Sequence, residues 1–270
     1  MDTPTTPADS TRAAGRAANF PPGTFRPAPQ RASAAKLAWA QGAIESKLML
    51  RHGEQLLLSI IIPALLLFGA ARMPLLADEM NLDQIFPMVL AVAATSAGFT
   101  GQAISLAFDR RYGALKRTGA SGVPAWTIVT GKIMAVLSMV TVQVVVLGVI
   151  AVLLGFRTSW LGVLLALVIL LFGVATFTAL GLILGGTLSS EIVLALANLI
   201  WFLLLGMVGW TMYSQGLGSN GLLNVVPTVA LAGGLADAFA GDLPWVQMLV
   251  LAAWAGAASL AAAKWFRFEG

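Results

Sequence analysis

The sequence predicts an all-α membrane protein with about six transmembrane helices, an N-terminal interfacial helix and a re-entrant external element before the last helix. Hydrophobic residues make up 58% of the 270 residues and charged residues only 10%, whereas about a quarter of a soluble domain is charged. The mean hydropathy of +0.86 agrees with a chain surrounded by lipid. Long apolar runs alternate with segments in which the basic residues are concentrated.

Two segments precede the first apolar run. Residues 1–33 are rich in Pro, Ala, Thr and Arg, so we expect a disordered cytoplasmic tail without a signal peptide. Residues 34–270 form the predicted transmembrane domain. This domain opens with Leu37 and Ile44 at helical spacing and Lys47 beside them. The pattern predicts a basic amphipathic helix in the headgroup layer, and the alternative is a helical extension of the first span.

The apolar runs are close to the ~20 residues that cross a bilayer as a helix, the conformation that satisfies its own backbone groups in lipid. The first run is short and contains Pro63, so it is the weakest of the predicted spans. The six runs lie near residues 56–71, 85–108, 133–156, 161–184, 192–212 and 246–263.

Lys and Arg predict the orientation. Of the 16 basic residues, all except Arg72 and Arg157 fall in segments on one side of the predicted membrane. Because positive charge is retained in the cytoplasm, we expect a multi-pass cell-membrane protein with both termini cytoplasmic and an even number of spans. This placement, rather than binding to nucleic acid, accounts for the net charge of +4.

The external segment between the fifth and sixth spans, residues 213–244, is too apolar for a solvated loop. It is also too interrupted by Gly and Pro for a full span. A re-entrant or surface-lying pair of short helices fits this composition if the pair packs against protein. The alternative is a single hydrophobic external cap.

The sequence lacks the residues that several classes of function require. With no cysteine, thiolate metal sites and disulfides are excluded. The one histidine, His52, is at the membrane entrance and is read as a headgroup contact. No phosphate-binding GxxxxGK[ST] loop is present, so we expect no ATP hydrolysis by this chain. The predicted spans have no acid or base away from their ends, which disfavours a membrane enzyme or a proton-coupled secondary transporter.

The second cytoplasmic segment is the most informative. It begins Asp109-Arg110-Arg111-Tyr112-Gly113, continues with a short basic amphipathic piece and ends at Pro124. This composition predicts a short helix at the membrane face that docks on a soluble partner. An ordinary positive-inside loop is the alternative.

The segment resembles the type-2 ABC exporter permeases, especially the drug-resistance branch, in which an acidic-Arg-x-x-Gly-Thr-Leu pattern ends the second span. Asp109, Arg110, Gly113 and Leu115 match this pattern. Asp109 stands where Glu is usual, and Ala114 replaces Thr. The layout of an interfacial helix, six spans and a broken loop before the last span is also similar.

The resemblance implies a permease without a cofactor of its own, paired with an identical or related permease and with two cytosolic ATPases that bind ATP and Mg. Such a complex exports an amphipathic or hydrophobic compound such as a drug or lipid. The alternatives are a secondary transporter and a membrane anchor without ATP coupling. The resemblance assigns ATPase coupling to Asp109, Arg110, Arg111, Gly113, Leu115, Lys116, Arg117 and Pro124.

Two further expectations concern the spans. The polar and aromatic residues inside them either line a substrate pathway or serve helix packing. The pathway candidates are Gln143, Thr176, Phe177, Asn198 and Trp201. In the fourth span, Gly181 and Gly185 form a GxxxG pattern that predicts close contact with another helix.

Overall fold

The computed structural model describes residues 32–51, 53–72, 81–120, 123–218 and 221–265. The chain divides into two units, Met1–Ala34 and Ala35–Gly270, and the second contains the elements described below apart from Ala34, the first residue of α1. Most of the predicted tail and His52 lie outside the described residues. The helices are α1 (Ala34–Arg51), α2 (Gly53–Arg72), α3 (Leu82–Thr95), α4 (Gln102–Arg111), α5 (Ala114–Ala120), α6 (Ala125–Leu153), α7 (Trp160–Thr187), α8 (Ser190–Gln215), α9 (Pro227–Ala240) and α10 (Trp245–Trp265).

All the regular structure within these ranges is helical, which confirms the predicted all-α membrane class. Five stretches are long and apolar enough to cross a membrane: Leu82–Arg111, Trp126–Leu153, Trp160–Thr187, Ser190–Gln215 and Trp245–Ala262. The apolar part of α2, Ser59–Gly69, is shorter. The first predicted span, near residues 56–71, and with it the count of six, therefore stays a prediction.

The stretch from α3 to α4 is a single span interrupted by a π-helical turn at Ser96–Gly101. At this turn the backbone of α7 comes close. A Cβ on Gly98 would lie 3.0 Å from the Cβ of Phe177 and 3.3 Å from the amide nitrogen of Thr178. Sequence periodicity did not predict this turn. The sequence feature that fits this turn is its composition, with two glycines among six residues.

Helix α7 lies at the centre of the bundle, where it packs against α4, α9 and α10. Its glycines allow the contact. A Cβ on Gly181 would lie 2.6 Å from the carbonyl oxygen of Phe99, and one on Gly185 would lie 2.3 Å from that of Ala103. The predicted close contact of the GxxxG pattern is confirmed, and its partner is the second span of the same chain.

The third span begins earlier than predicted. Helix α6 starts at Ala125, directly after Pro124 in an extended conformation, rather than near residue 133. Trp126, Thr127 and Ile128 continue the helical backbone before the apolar run. Lys132, which precedes the predicted run at residues 133–156, therefore lies within α6, and only 2% of its surface is exposed.

The segment before the last span contains a short 3₁₀ helix, Gly221–Val225, and α9. The predicted pair of short helices is confirmed. Almost all of α9 is buried against α3, α7 and α10, which explains why this segment is so apolar. Phe239 stacks on Phe86 with a ring-centroid distance of 5.3 Å and meets Phe156 edge-on at 5.2 Å.

Side-chain amides fasten the turn that leads from α8 towards α9. Gln84 accepts a hydrogen bond from the amide of Leu217. Gln247 donates to the carbonyl oxygen of Gly218 at 3.3 Å and to Oδ2 of Asp237 at 2.6 Å. The end of the bundle that contains these contacts is called the α9 end. The opposite end, with α5, is called the α5 end.

Candidate functional site

The acidic-basic triplet identified in the sequence, Asp109–Arg111, forms the last turn of α4 at the α5 end. The chain reverses at Gly113, whose φ of +69° is a left-handed conformation. Residues other than glycine adopt this conformation only at a cost in free energy. Helix α5 follows at once, its first turn closed by a hydrogen bond from the amide of Arg117 to the carbonyl oxygen of Gly113 (3.1 Å). A glycine in this position fits the tight connection.

Asp109 pairs with a buried lysine. The Nζ of Lys132 lies 3.0 Å from Oδ2 of Asp109 and 3.5 Å from Oε2 of Glu45. Glu45 also accepts a hydrogen bond from Nε2 of Gln41 at 3.1 Å. A buried ammonium requires such partners, because desolvation of an unpaired charge is costly. The cluster joins α1, α4 and α6 at a single point.

Arg110 reaches across to the end of α7. Its Nη1 donates to the carbonyl oxygens of Gly185 and Leu188, each at 3.0 Å. The last carbonyls of a helix lack partners within the helix and carry partial negative charge. The guanidinium therefore holds the end of α7 against α4.

Arg111 reaches a third helix. Its Nη1 donates to Oγ of Ser190 at 3.1 Å and forms an ion pair with Glu191, both in the first turn of α8. The side chains of this ion pair are more than half exposed, so solvent screens the charges and their contribution to stability is small. The three charged residues of the triplet thus contact α6, α7 and α8 separately, and Asp109 reaches α1 through Lys132.

Helix α5 is anchored by Leu115, which packs against Leu106, Ile128 and Leu182 and is 4% exposed. The resemblance assigned ATPase coupling to Leu115, so this side chain was expected on the face of α5 that docks on a soluble partner. It faces the bundle instead, because the tight turn at Gly113 brings α5 back over α4. Lys116 and Arg117 are exposed on α5, as is Ala120 at its end.

The comparison with protein families agrees with this architecture. The family described as ABC-2 type transporter matches residues 38–219, well over half of the chain. The chain belongs to the ABC-2 type transporter family. A comparison with curated proteins gave no match. The protein is thus the membrane permease subunit of an ABC transporter, not itself an ATPase, and the family implies an ABC ATPase as its partner.

The pathway candidates of this ABC-2 permease do not lie together. Thr176 and Phe177 are fully buried in the core. The Oγ1 of Thr176 lies 2.8 Å from the carbonyl oxygens of both Phe172 and Leu251, which share its single proton, and the second contact connects α7 to α10. These contacts favour the packing role for this pair.

The other three candidates lie outside this buried pair, on α6 and α8. Asn198 is exposed on α8, and its Nδ2 donates to the carbonyl oxygen of Leu194 at 2.7 Å. Gln143 is buried in α6 and donates to the carbonyl oxygen of Ser59 at 3.1 Å. Trp201 lines a cavity of about 230 Å³ among α2, the π-helical turn and α6, together with Ser59. Gln143 and Trp201 therefore lie near one membrane cavity.

Sequence reasoning missed three residues of this site: Glu45, Lys132 and Ser59. Lys132 directly precedes the apolar run at residues 133–156, and that position was the available signal. Glu45 and Ser59 carried no distinguishing pattern. Within the described ranges, no three His, Cys, Asp or Glu side chains are close enough to hold a metal ion.

Proposed function

We propose that this ABC-2 permease is the transmembrane subunit of an ATP-driven exporter that moves an amphipathic or hydrophobic compound out of the cell. It works as a pair of permeases, identical or related, with ATP and Mg bound by separate cytosolic ATPase subunits. The α5 end faces the cytoplasm in this proposal. The concentration of basic residues in this part of the sequence supports that orientation.

One observation carries the proposal. The three charged residues before the turn at Gly113 contact different helices, so a displacement of α5 would act on α6, α7 and α8 together. A loop that merely retained positive charge would not need these separate contacts. The outward-facing Lys116 and Arg117 supply the surface for the ATPase. Packed elements of this kind transmit motion as units.

The membrane cavity supports an apolar cargo. Its lining is mostly apolar and includes Met139 and Trp201, with three hydroxyl residues, Ser59, Ser96 and Thr100. The Oγ1 of Thr100 and the Oε1 of Gln143 are buried and accept no hydrogen bond in the described part of the chain. Few polar groups in an apolar cavity are typical of sites for small molecules.

The test is transport in inside-out vesicles that contain the permease and its cognate ATPase. A fluorescent amphipathic dye should accumulate only with ATP and Mg, and an ATPase variant without its phosphate-loop lysine should accumulate none. Ionophores that collapse ion gradients should leave the accumulation unchanged. Accumulation that follows the ion gradient and ignores ATP would identify a secondary transporter.

The membrane-anchor alternative gives a different result in the same vesicles. An anchor would recruit the ATPase to the membrane, yet no dye of any polarity would accumulate. Substrate-stimulated ATP hydrolysis would also be missing. Recruitment with both of these absent would overturn the exporter proposal.

A further inference from the structure

A second cavity, of about 390 Å³, lies at the α5 end among α1, α4, α5 and α6. Its apolar wall includes Ile44, Leu48, Met49 and Ile128. Ile44 and Leu48 are more than half exposed, so the cavity is open along α1. An apolar ligand body can therefore enter beside the amphipathic helix.

The charged part of this wall is acidic. Glu45 and Asp109 both line the cavity, and no basic side chain is found among the described residues that line it. Lys132 contacts both carboxylates, but one ammonium neutralises only one of two negative charges. Arg110 and Arg111 are directed to α7 and α8. Among the described ion pairs, the two carboxylates of the cavity therefore share one ammonium group.

An independent observation also points to a ligand. Gln102 lines the cavity and is 4% exposed. Its Nε2 contacts Sδ of Met49 at 3.9 Å, while its Oε1 accepts no hydrogen bond from any described residue. A buried acceptor without a donor is costly. A ligand with N–H donors would satisfy it.

We propose that this cavity binds the ammonium group of an amphipathic amine. The ammonium donates to Glu45, Asp109 and Gln102, and the apolar body lies along Met49 and Ile128. An anionic ligand is disfavoured by the two carboxylates. The inference goes beyond the proposed function, because binding here requires neither the ATPase nor transport. The amine is either a soluble amphiphile or the headgroup of an ethanolamine lipid.

The experiment uses the full-length permease in nanodiscs of phosphatidylcholine and phosphatidylglycerol. Dansylcadaverine, which joins a primary ammonium to a fluorescent apolar ring, should bind saturably. Its neutral N-acetyl derivative should not. Equal affinity for the two compounds would overturn the proposal.

Variants locate the site. Glu45→Gln should weaken binding of dansylcadaverine roughly ten-fold or more, because hydrogen bonds to charged groups are the strong ones. Gln102→Leu should weaken it less, and Ser105→Phe, which fills the cavity, should abolish it. Asp83→Asn removes an exposed acid at the α9 end and serves as the matched control. If Glu45→Gln fails to fold, the Gln102 and Ser105 variants decide, and unchanged binding in both refutes the site.

Adding phosphatidylethanolamine to the nanodiscs distinguishes the two sources. If this lipid occupies the cavity, the apparent affinity of dansylcadaverine should fall in the unsubstituted protein but not in Glu45→Gln. If a soluble amine is the ligand, the affinity should be unchanged. Either result retains the ammonium site.

Discussion

Lys132 and Asp109 form an ion pair of 3.0 Å between α6 and α4, although the lysine side chain is almost completely buried. Glu45 on α1 adds a second carboxylate at 3.5 Å. Three elements that are separate in sequence therefore depend on one ammonium group. This relationship leads to the first prediction.

Lys132→Met should lower the apparent melting temperature of the purified permease, because both carboxylates lose their partner. Breaking a fully buried pair costs about 3–5 kcal/mol. Water reaches Asp109, whose side chain is 37% exposed, so we expect roughly 1–3 kcal/mol. The control is Lys47→Met, which removes an exposed lysine of α1. A triple variant with Glu45→Gln and Asp109→Asn should recover most of the loss, and an unchanged melting temperature in Lys132→Met would exclude the role of the pair.

Arg110→Ala should uncouple ATP hydrolysis from transport while the permease still inserts in the membrane. The substitution removes both contacts to the last carbonyls of α7. Charged hydrogen bonds contribute about 1.5–3 kcal/mol each, so dye accumulation should fall about ten-fold or more. Arg157→Ala is the control, since Arg157 binds the carbonyl oxygens of Val152 and Phe156 at the α9 end. Normal accumulation in Arg110→Ala vesicles would leave Arg110 without a coupling role.

Gly181→Ala should destabilise the fold, because the added Cβ would lie 2.6 Å from the carbonyl oxygen of Phe99. Backbone atoms at that distance must shift, and overpacking typically costs about 1–3 kcal/mol. Gly206→Ala on α8 is the matched control, since a Cβ there meets nothing within 4 Å. Thermal unfolding of both variants in detergent provides the comparison. Equal melting temperatures for the two would show that the α7 contact tolerates a methyl group.

Asp237→Asn should raise stability at neutral pH. Burial raises the pKa of the Asp237 carboxyl, and the nearby Asp242 raises the pKa further, while the hydrogen bond from Gln247 lowers it. Between the ordinary and the raised pKa, the folded state binds more protons than the unfolded state. The contribution of Asp237 to stability is therefore greatest below its ordinary pKa and declines as pH rises through the raised value.

The measurement for Asp237 is a pair of melting curves for the unsubstituted protein and the asparagine variant at mildly acidic and neutral pH. The asparagine keeps an oxygen for Gln247 but cannot ionise. We expect the two proteins to differ at neutral pH and to converge as the pH falls towards 4, near the ordinary pKa of aspartate. If the difference between the two melting temperatures grew as the pH fell, the prediction would be wrong.

The orientation can be tested with single cysteines, because the chain has none of its own. In intact cells, a membrane-impermeant thiol reagent should label Ser214→Cys, at the exposed end of α8, and should spare Arg117→Cys on α5. Permeabilised cells should label both positions. Labelling of the α5 cysteine in intact cells would invert the proposed topology.

Features determined by local composition were predicted from the sequence. The apolar runs predicted the long helices, and the Gly181–Gly185 spacing predicted a close helix contact. Gly and Pro between residues 213 and 244 predicted short helices in place of a span. In each instance the residues involved are near one another in the chain, and the driving force is the solvation of backbone and apolar groups.

The remaining features depend on contacts between distant segments. The burial of Lys132 was not predicted, because its carboxylate partners are on α1 and α4. The direction of Leu115 depends on the reversal at Gly113, which residue spacing does not report. Thr176 was a pathway candidate because it is polar. Its packing role follows from its contact with the carbonyl oxygen of Leu251 on α10. In all three cases, contacts with residues distant in sequence determine where the side chain lies.

The π-helical turn at Ser96–Gly101 determines the directions in which the side chains of α4 point around the helix axis. A π turn accommodates one extra residue, and each residue of an α-helix advances the helix by about 100°. Loss of one residue here would regularise the helix and rotate its α5 end by about that angle. The charged triplet would then face away from α6, α7 and α8 at once. A change of length in this turn therefore displaces the whole triplet, whereas a change of side chain, as at Gly98, acts on the local contact with α7.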